Sequence, residues 1–255
     1  MSEIQLPLSL SPLDVAALVW FFLVWGSYNL VIDRLLVRRG GLNSQMQLIR
    51  EIWMRRMFAR DDRVGDAILL GQLIQSVSFF ASATMLLVAA LVGVLAAVGS
   101  AYVTFMSLAL IVPTPRSVFE LKLGLLTAIF VFAFFKFTWA IRQYNYCSAV
   151  IGAAPDPNVP EDVRNRLADH AAAVLSLGVT TFNGGLRAYY FALAVLSWLV
   201  HPWAFILVTT WMAAILLIRQ FRSRAYDAIR DCGPIMARYS GPPGVDKQAG
   251  KQTLS

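Results

Sequence analysis

The sequence predicts an all-α membrane protein: a polytopic helical bundle of about five transmembrane helices, N-terminus outside, with amphipathic helices on the cytoplasmic side. Three observations predict it. The 255-residue chain is 58% hydrophobic and 15% charged, with a mean hydropathy of +0.61, too apolar for a soluble domain of its length. Long apolar runs recur along it, each near or above the roughly 20 residues a helix needs to cross about 30 Å of hydrocarbon. The basic residues collect between alternate runs, as the positive-inside rule requires of cytoplasmic loops.

The first span is Leu13 to Ile32. No basic stretch precedes it and it is too long for a signal core, so it is expected to remain as an uncleaved helix. The stretch "NSQMQLIREIWMRRMFAR", Asn43 to Arg60, mixes apolar and basic residues and reads as an imperfect helix at the headgroup level. Its arginines either snorkel or recognise a lipid or partner. The second span, Leu73 to Val98, carries small residues at Ser78, Ser82, Ala89, Gly93 and Ala97. Such a stripe lets another helix come close, within one protomer or in a homo-oligomer that builds a central pore. The third span runs from Leu121 to Ile141. After it, Pro160 with Glu161 and Asp162 starts a cytoplasmic helix, which the "NGG" at Asn183 to Gly185 is expected to close.

The apolar stretch Leu186 to Ile218 would measure about 50 Å as one helix, well beyond the bilayer. Pro202, in "VHPW", disfavours helical geometry at His201 and cannot donate to the preceding turn, so the stretch divides into spans 186–200 and 203–218. Residues 1–232 then form one membrane domain with cytoplasmic segments 33–70 and 142–185, and 233–255 form a disordered cytoplasmic tail rich in Gly, Pro and polar residues. This topology puts all but three of the 22 Lys and Arg residues on one side, whereas Met1 to Pro12 contains none. A single kinked span over 186–218 gives four crossings and sends the basic tail outside, against the rule.

Topology already sets the net charge of +7 against the anionic inner leaflet, so membrane lipids and not nucleic acid are the expected partner. The setting is a multi-pass protein of the bacterial inner membrane. Cys147 and Cys232 fall on the reducing side and are expected as free thiols. No metal or cofactor is expected, because His170 and His201 are the only histidines and no metal-binding, nucleophile or phosphate-cradling motif is present. The chain therefore does not read as an enzyme. A membrane-embedded lipid enzyme using unfamiliar groups is the weakest alternative.

Two stretches, "KFTWAIRQYNYCSAVIGAAP" from Lys136 and "GGLRAYYFALAVLSWLVHPWAFILVTTW" from Gly184, together with the arginine-rich loop, resemble an uncharacterised bacterial and plant integral membrane family, domain of unknown function 599. The resemblance covers Leu13 to Cys232. It implies no activity, cofactor or catalytic residue.

What remains is polarity inside the spans. Helical periodicity puts Lys136 on one stripe with Ala133, Ala140, Gln143 and Cys147, a small-residue face expected to meet other helices, while Phe130, Phe134, Phe135 and Phe137 cover other faces. Asn29 and Asp33 share a face of the first span, Gln75 opens the second, and Arg187 and Tyr190 open the fourth, whose N-terminal amides would suit an anion. These seven candidates, Lys136, Arg187, Asn29, Asp33, Gln143, Gln75 and Tyr190, lie at similar cytoplasmic depth. Two readings of Lys136 stay open. It snorkels toward headgroups beside Arg142, about 9 Å along the helix, or pairs with Asp33; alternatively it is a functional charge, as intramembrane ionisable groups tend to be. The leading expectation is a transport or channel component with a basic vestibule for a small anion. The alternative is an assembly factor or accessory subunit of a membrane complex.

Overall fold

The computed structural model describes residues 10–39, 42–109 and 111–221, and residues 228, 229, 232, 235 and 236; side chains are not described for 29–39, 42, 43, 220 and 221. Among the described residues there are seven α-helices and no strand: α1 Pro12–Arg39, α2 Leu42–Phe58, α3 Val64–Ala96, α4 Val98–Met106, α5 Arg116–Gly152, α6 Glu161–Trp198 and α7 Pro202–Phe221. Three of them, Val64–Ala96, Arg116–Gly152 and Pro202–Arg219, are long and apolar enough to cross a membrane, and α1 adds a shorter apolar helix, Pro12–Tyr28. The chain is a helical membrane protein. The expected tail lies outside the described residues apart from 235 and 236.

The long helices pack antiparallel. On α5, Tyr144 and Phe137 press their rings against Gly178 and Gly185 of α6, seven residues apart on each helix: a Cβ on either glycine would meet ring carbons at 2.6 and 2.5 Å. The α5 core face is Ala133, Phe137, Ala140, Tyr144 and Cys147, all essentially fully buried. The expected small-residue face is therefore correct at Ala133, Ala140 and Cys147. Phe130 and Phe137, assigned by sequence to other faces, share it, because the glycines of α6 make room for a ring. Opposite them α3 buries Leu70, Val77, Ala81 and Thr84, with Phe80 5.6 Å from the Phe137 ring. The stripe Ser82, Ala89 and Gly93 faces outward, and nothing lies within 4 Å of a Cβ on Gly93, so packing within one protomer does not explain it.

On the other side of α6, α1 and α7 pair with each other and with α6 through Phe21, Phe191 and Phe205, ring centroids 5.1 to 5.9 Å apart about Phe21. The break between α6 and α7 falls where Pro202 predicts it, and the His201 Nδ1 accepts from the Trp203 N–H at 3.0 Å.

The expected end of the cytoplasmic helix is overturned. The cytoplasmic helix does not close at Asn183–Gly185; α6 runs unbroken for 38 residues through it, so no fourth-span N-terminus with free amides exists there. Glycine in a helix interior costs about 1 kcal/mol relative to alanine. The Phe137 contact at Gly185 offsets that cost, and long-range packing decides the helix.

The half of α6 beyond the bundle carries α2. Arg50 donates to Ser176 Oγ at 2.9 Å, and Arg55 makes a two-point pair with Asp169 at 2.8 and 3.1 Å. Burial pushes the Arg50 guanidinium below its ordinary pKa, whereas the hydrogen bond that Arg55 donates to Asp169 raises that of Arg55. Met54, Met57 and Phe58 are buried, so the apolar side of α2 is spent on protein and not on lipid headgroups as its sequence suggested. Arg60 and the Trp53 indole converge on buried Asp66, and Arg63 donates to the carbonyls of Ala154 and Pro155 at 2.9 and 2.7 Å. This is the arginine-rich end of the molecule.

Candidate functional site

Two polar clusters lie between the long helices. The first is a cavity of about 290 Å³ toward the arginine-rich end, lined by Trp25 of α1, Phe132 and Lys136 of α5, and Thr180, Thr181, Gly184 and Arg187 of α6. Lys136 and Arg187 approach each other across Gly184: a Cβ there would sit 3.6 Å from Arg187 Nη2 and 3.7 Å from Lys136 Cδ. The absent side chain leaves room over Gly184 for the Lys136 stem and the Arg187 guanidinium. Among the described residues no lining residue is acidic and no carboxylate lies within ion-pair distance of Lys136. Its ammonium instead sits 5.4 Å from the Phe132 ring centroid, an attraction of about 0.5–2 kcal/mol that still leaves its donors open.

Supporting groups surround this pair. The Gln143 amide, in the orientation that satisfies both its ends, donates to Thr181 Oγ1 at 2.8 Å and Leu177 O at 3.2 Å and accepts from Trp139 Nε1 at 3.2 Å. It thereby fixes a hydroxyl of the cavity wall. Tyr190 lies one turn from Arg187 and accepts from Arg219 of α7 at 2.8 Å, which adds a third cation nearby. Tyr28 is within electrostatic reach of both Arg187 and Arg219.

Of the sequence candidates, Lys136 and Arg187 meet in one cavity, Gln143 braces it and Tyr190 flanks it. Gln75 does not join them: it is exposed on α3, on the far side of α5. Asn29 and Asp33 lie on α1, but their side chains are outside the described residues. Thr180 and Thr181 escaped the sequence reading because they precede the NGG that was expected to end a separate helix.

The second cluster lies at the opposite end. Asp14 of α1 accepts from the Trp198 indole at 2.8 Å and from the Ser11 hydroxyl at 2.6 Å, while its own N–H donates to Ser11 Oγ at 3.1 Å, so Ser11 caps the helix. Lys122 of α5 reaches Asp14 at 3.9 Å and stands 5.2 Å from the Trp198 ring. Both charges are nearly fully buried. Sequence reasoning passed over them, although each is the one early charge in an apolar run and the signs are opposite.

The model of one family, described as "Protein of unknown function, DUF599", matches residues 16–225, and the chain belongs to that family. No curated protein and no solved structure matches it.

Proposed function

We propose that this member of the family is a transport component of the inner membrane, which crosses the bilayer five times and takes a small anion into the Lys136–Arg187 cavity from the cytoplasmic side. The single observation that carries the reading is a 290 Å³ space lined by Lys136 and Arg187 and, among the described residues, by no carboxylate. Donors preorganised in a low-dielectric site hold an anion more strongly than they would in water. The direction of access follows from charge: the cavity lies toward the end where Arg50, Arg55, Arg60 and Arg63 gather, which the positive-inside rule assigns to the cytoplasm. The alternation of α1, α3, α5, the second half of α6, and α7 supports five crossings with the N-terminus outside.

Beyond the cavity the bundle is filled. Phe21, Phe191, Phe205 and Trp198 are fully buried in mutual ring contact, with Trp198 stacked on Phe205 at 5.0 Å. One protomer thus offers a dead-end chamber, as a carrier open to one side would, and not a continuous pore. The alternative, an accessory subunit, draws support from the outward small-residue face of α3 at Ser82, Ala89 and Gly93, which suits a partner helix. Anion flux into liposomes carrying the purified protein tests the choice. Flux above that of empty liposomes, lost in Lys136→Met, is the expected result; liposomes that stay impermeable to every anion tried, with a membrane partner co-purifying, favour the accessory subunit.

A further inference from the structure

A second concavity, of about 430 Å³, adjoins the first and is lined by Phe132, Phe135, Lys136, Thr138, Trp139 and Arg142, all of α5. The two share Phe132 and Lys136. Their chemistry differs. The first is enclosed between three helices and has hydroxyls and guanidinium in its wall, whereas the second is an aromatic groove on the outward face of α5, where Phe135 is 65% and Trp139 50% exposed. Arg142 closes the groove at the arginine-rich end, its guanidinium 5.7 Å from the centroids of both Trp139 and Tyr146 and its Nε donating to the Tyr146 hydroxyl at 2.6 Å. An inorganic ion has no use for such a groove. A molecule with an anionic head and a hydrocarbon tail needs both compartments.

We infer that the anion is the headgroup of an anionic lipid, which enters sideways from the bilayer past Lys136, sets its phosphate between Lys136 and Arg187, and leaves an acyl chain along Phe132, Phe135 and Trp139. This rests on the reading of the cavity as an anion site. The division of labour follows from the solvent: a tail leaving the bilayer for an apolar groove gains little, because lipid is as apolar as the wall. Affinity therefore comes from the two cations, and the groove supplies a path that keeps the chain out of the polar chamber. Basic pockets between spans on the inner side have the charge and depth to hold anionic headgroups.

Thermal unfolding in a neutral detergent tests the inference, with phosphatidylglycerol, phosphatidylcholine of the same chains, and inorganic phosphate as separate additions. The expected result is a dose-dependent rise in Tm that is larger with phosphatidylglycerol than with inorganic phosphate and absent with phosphatidylcholine. Apparent affinity should fall about tenfold or more in Lys136→Met, as loss of a charged hydrogen-bond partner implies. Thr138→Trp, which fills the groove from the outward side, should weaken the response to the lipid; Phe135→Ala, which cannot obstruct it, should retain it. Stabilisation by inorganic phosphate that depends on Lys136, with no greater effect of phosphatidylglycerol, would overturn the lipid assignment and leave the anion reading standing. An equal response of the parent and Lys136→Met to phosphatidylglycerol would mark ordinary annular lipid and overturn it as well. If neither addition acts through Lys136, both the inference and the reading beneath it fail.

Discussion

Lys122 and Lys136 lie on the same helix, and they teach opposite lessons about a charge inside a membrane protein. Lys122 is 3% exposed, within reach of Asp14 and set against the Trp198 ring, with the carboxylate further held by an indole and a hydroxyl. Nothing is left for a ligand to do. Among the described residues Lys136 meets one aromatic face, has no carboxylate partner and borders the cavity that Arg187 also lines. Burial at one end of α5 is accompanied by pairing; partial burial at the other is accompanied by volume. The difference separates a charge paired between helices from one that borders a cavity, and it is the ground on which we propose Lys136 for a ligand.

The largest effect is expected where that pairing is broken. Asp14→Ala leaves Lys122 and the Trp198 indole buried without the carboxylate and should destabilise by about 3–5 kcal/mol, because a desolvated charge loses its counter-ion. The double variant Asp14→Ala with Lys122→Met removes both charges and should recover most of the loss in thermal or denaturant unfolding. A double variant as unstable as the single one would show that the pair is not what holds this end.

A pair of neighbouring glycines sharpens the same contrast between a filled and an open region. Gly185→Ala forces a Cβ to 2.5 Å from the Phe137 ring and should cost about 1–3 kcal/mol. Gly184→Ala, one residue earlier, faces the cavity with its nearest contact at 3.6 Å and should stabilise by up to about 1 kcal/mol through helix propensity. Equal effects at the two positions would mean that the cavity is not open. Smaller still is Gly93→Leu on the outward face of α3, expected to change protomer stability by less than about 0.5 kcal/mol. Any effect of that variant should appear in oligomeric state by size exclusion, and an unaltered profile would remove this face from an interface.

Much of this arrangement is legible in the chain itself. Pro202 marks the α6–α7 break and Pro160 with Glu161 and Asp162 marks the start of α6, because capping and dipole effects act within a few residues. The convergence of Lys136 and Arg187 follows from matching their depths along antiparallel spans. The continuity of α6 through Asn183–Gly185 is not legible, since local propensity signals a stop and only the distant Phe137 ring reverses it. The Asp14–Lys122 pair is half legible: two opposite charges at the same end of two spans are visible, but their meeting depends on the Trp198 indole between α1 and α5. The groove on α5 is missed for a similar reason. Its aromatic residues read as a lipid-facing surface, and a concavity is a property of their packed shape.

If Lys136 holds a ligand while Lys122 holds the fold, anion-dependent thermal stabilisation separates the parent from Lys136→Met. Lys136→Met keeps the volume of the side chain, so the variant should unfold within about 0.5 kcal/mol of the parent when no anion is added. An anion at about one hundred times its Kd should stabilise the parent by about 2.7 kcal/mol and leave the variant unmoved. A parent that responds to no halide, phosphate, sulfate, carboxylate or anionic lipid, or a variant that responds just as the parent does, would contradict the claim.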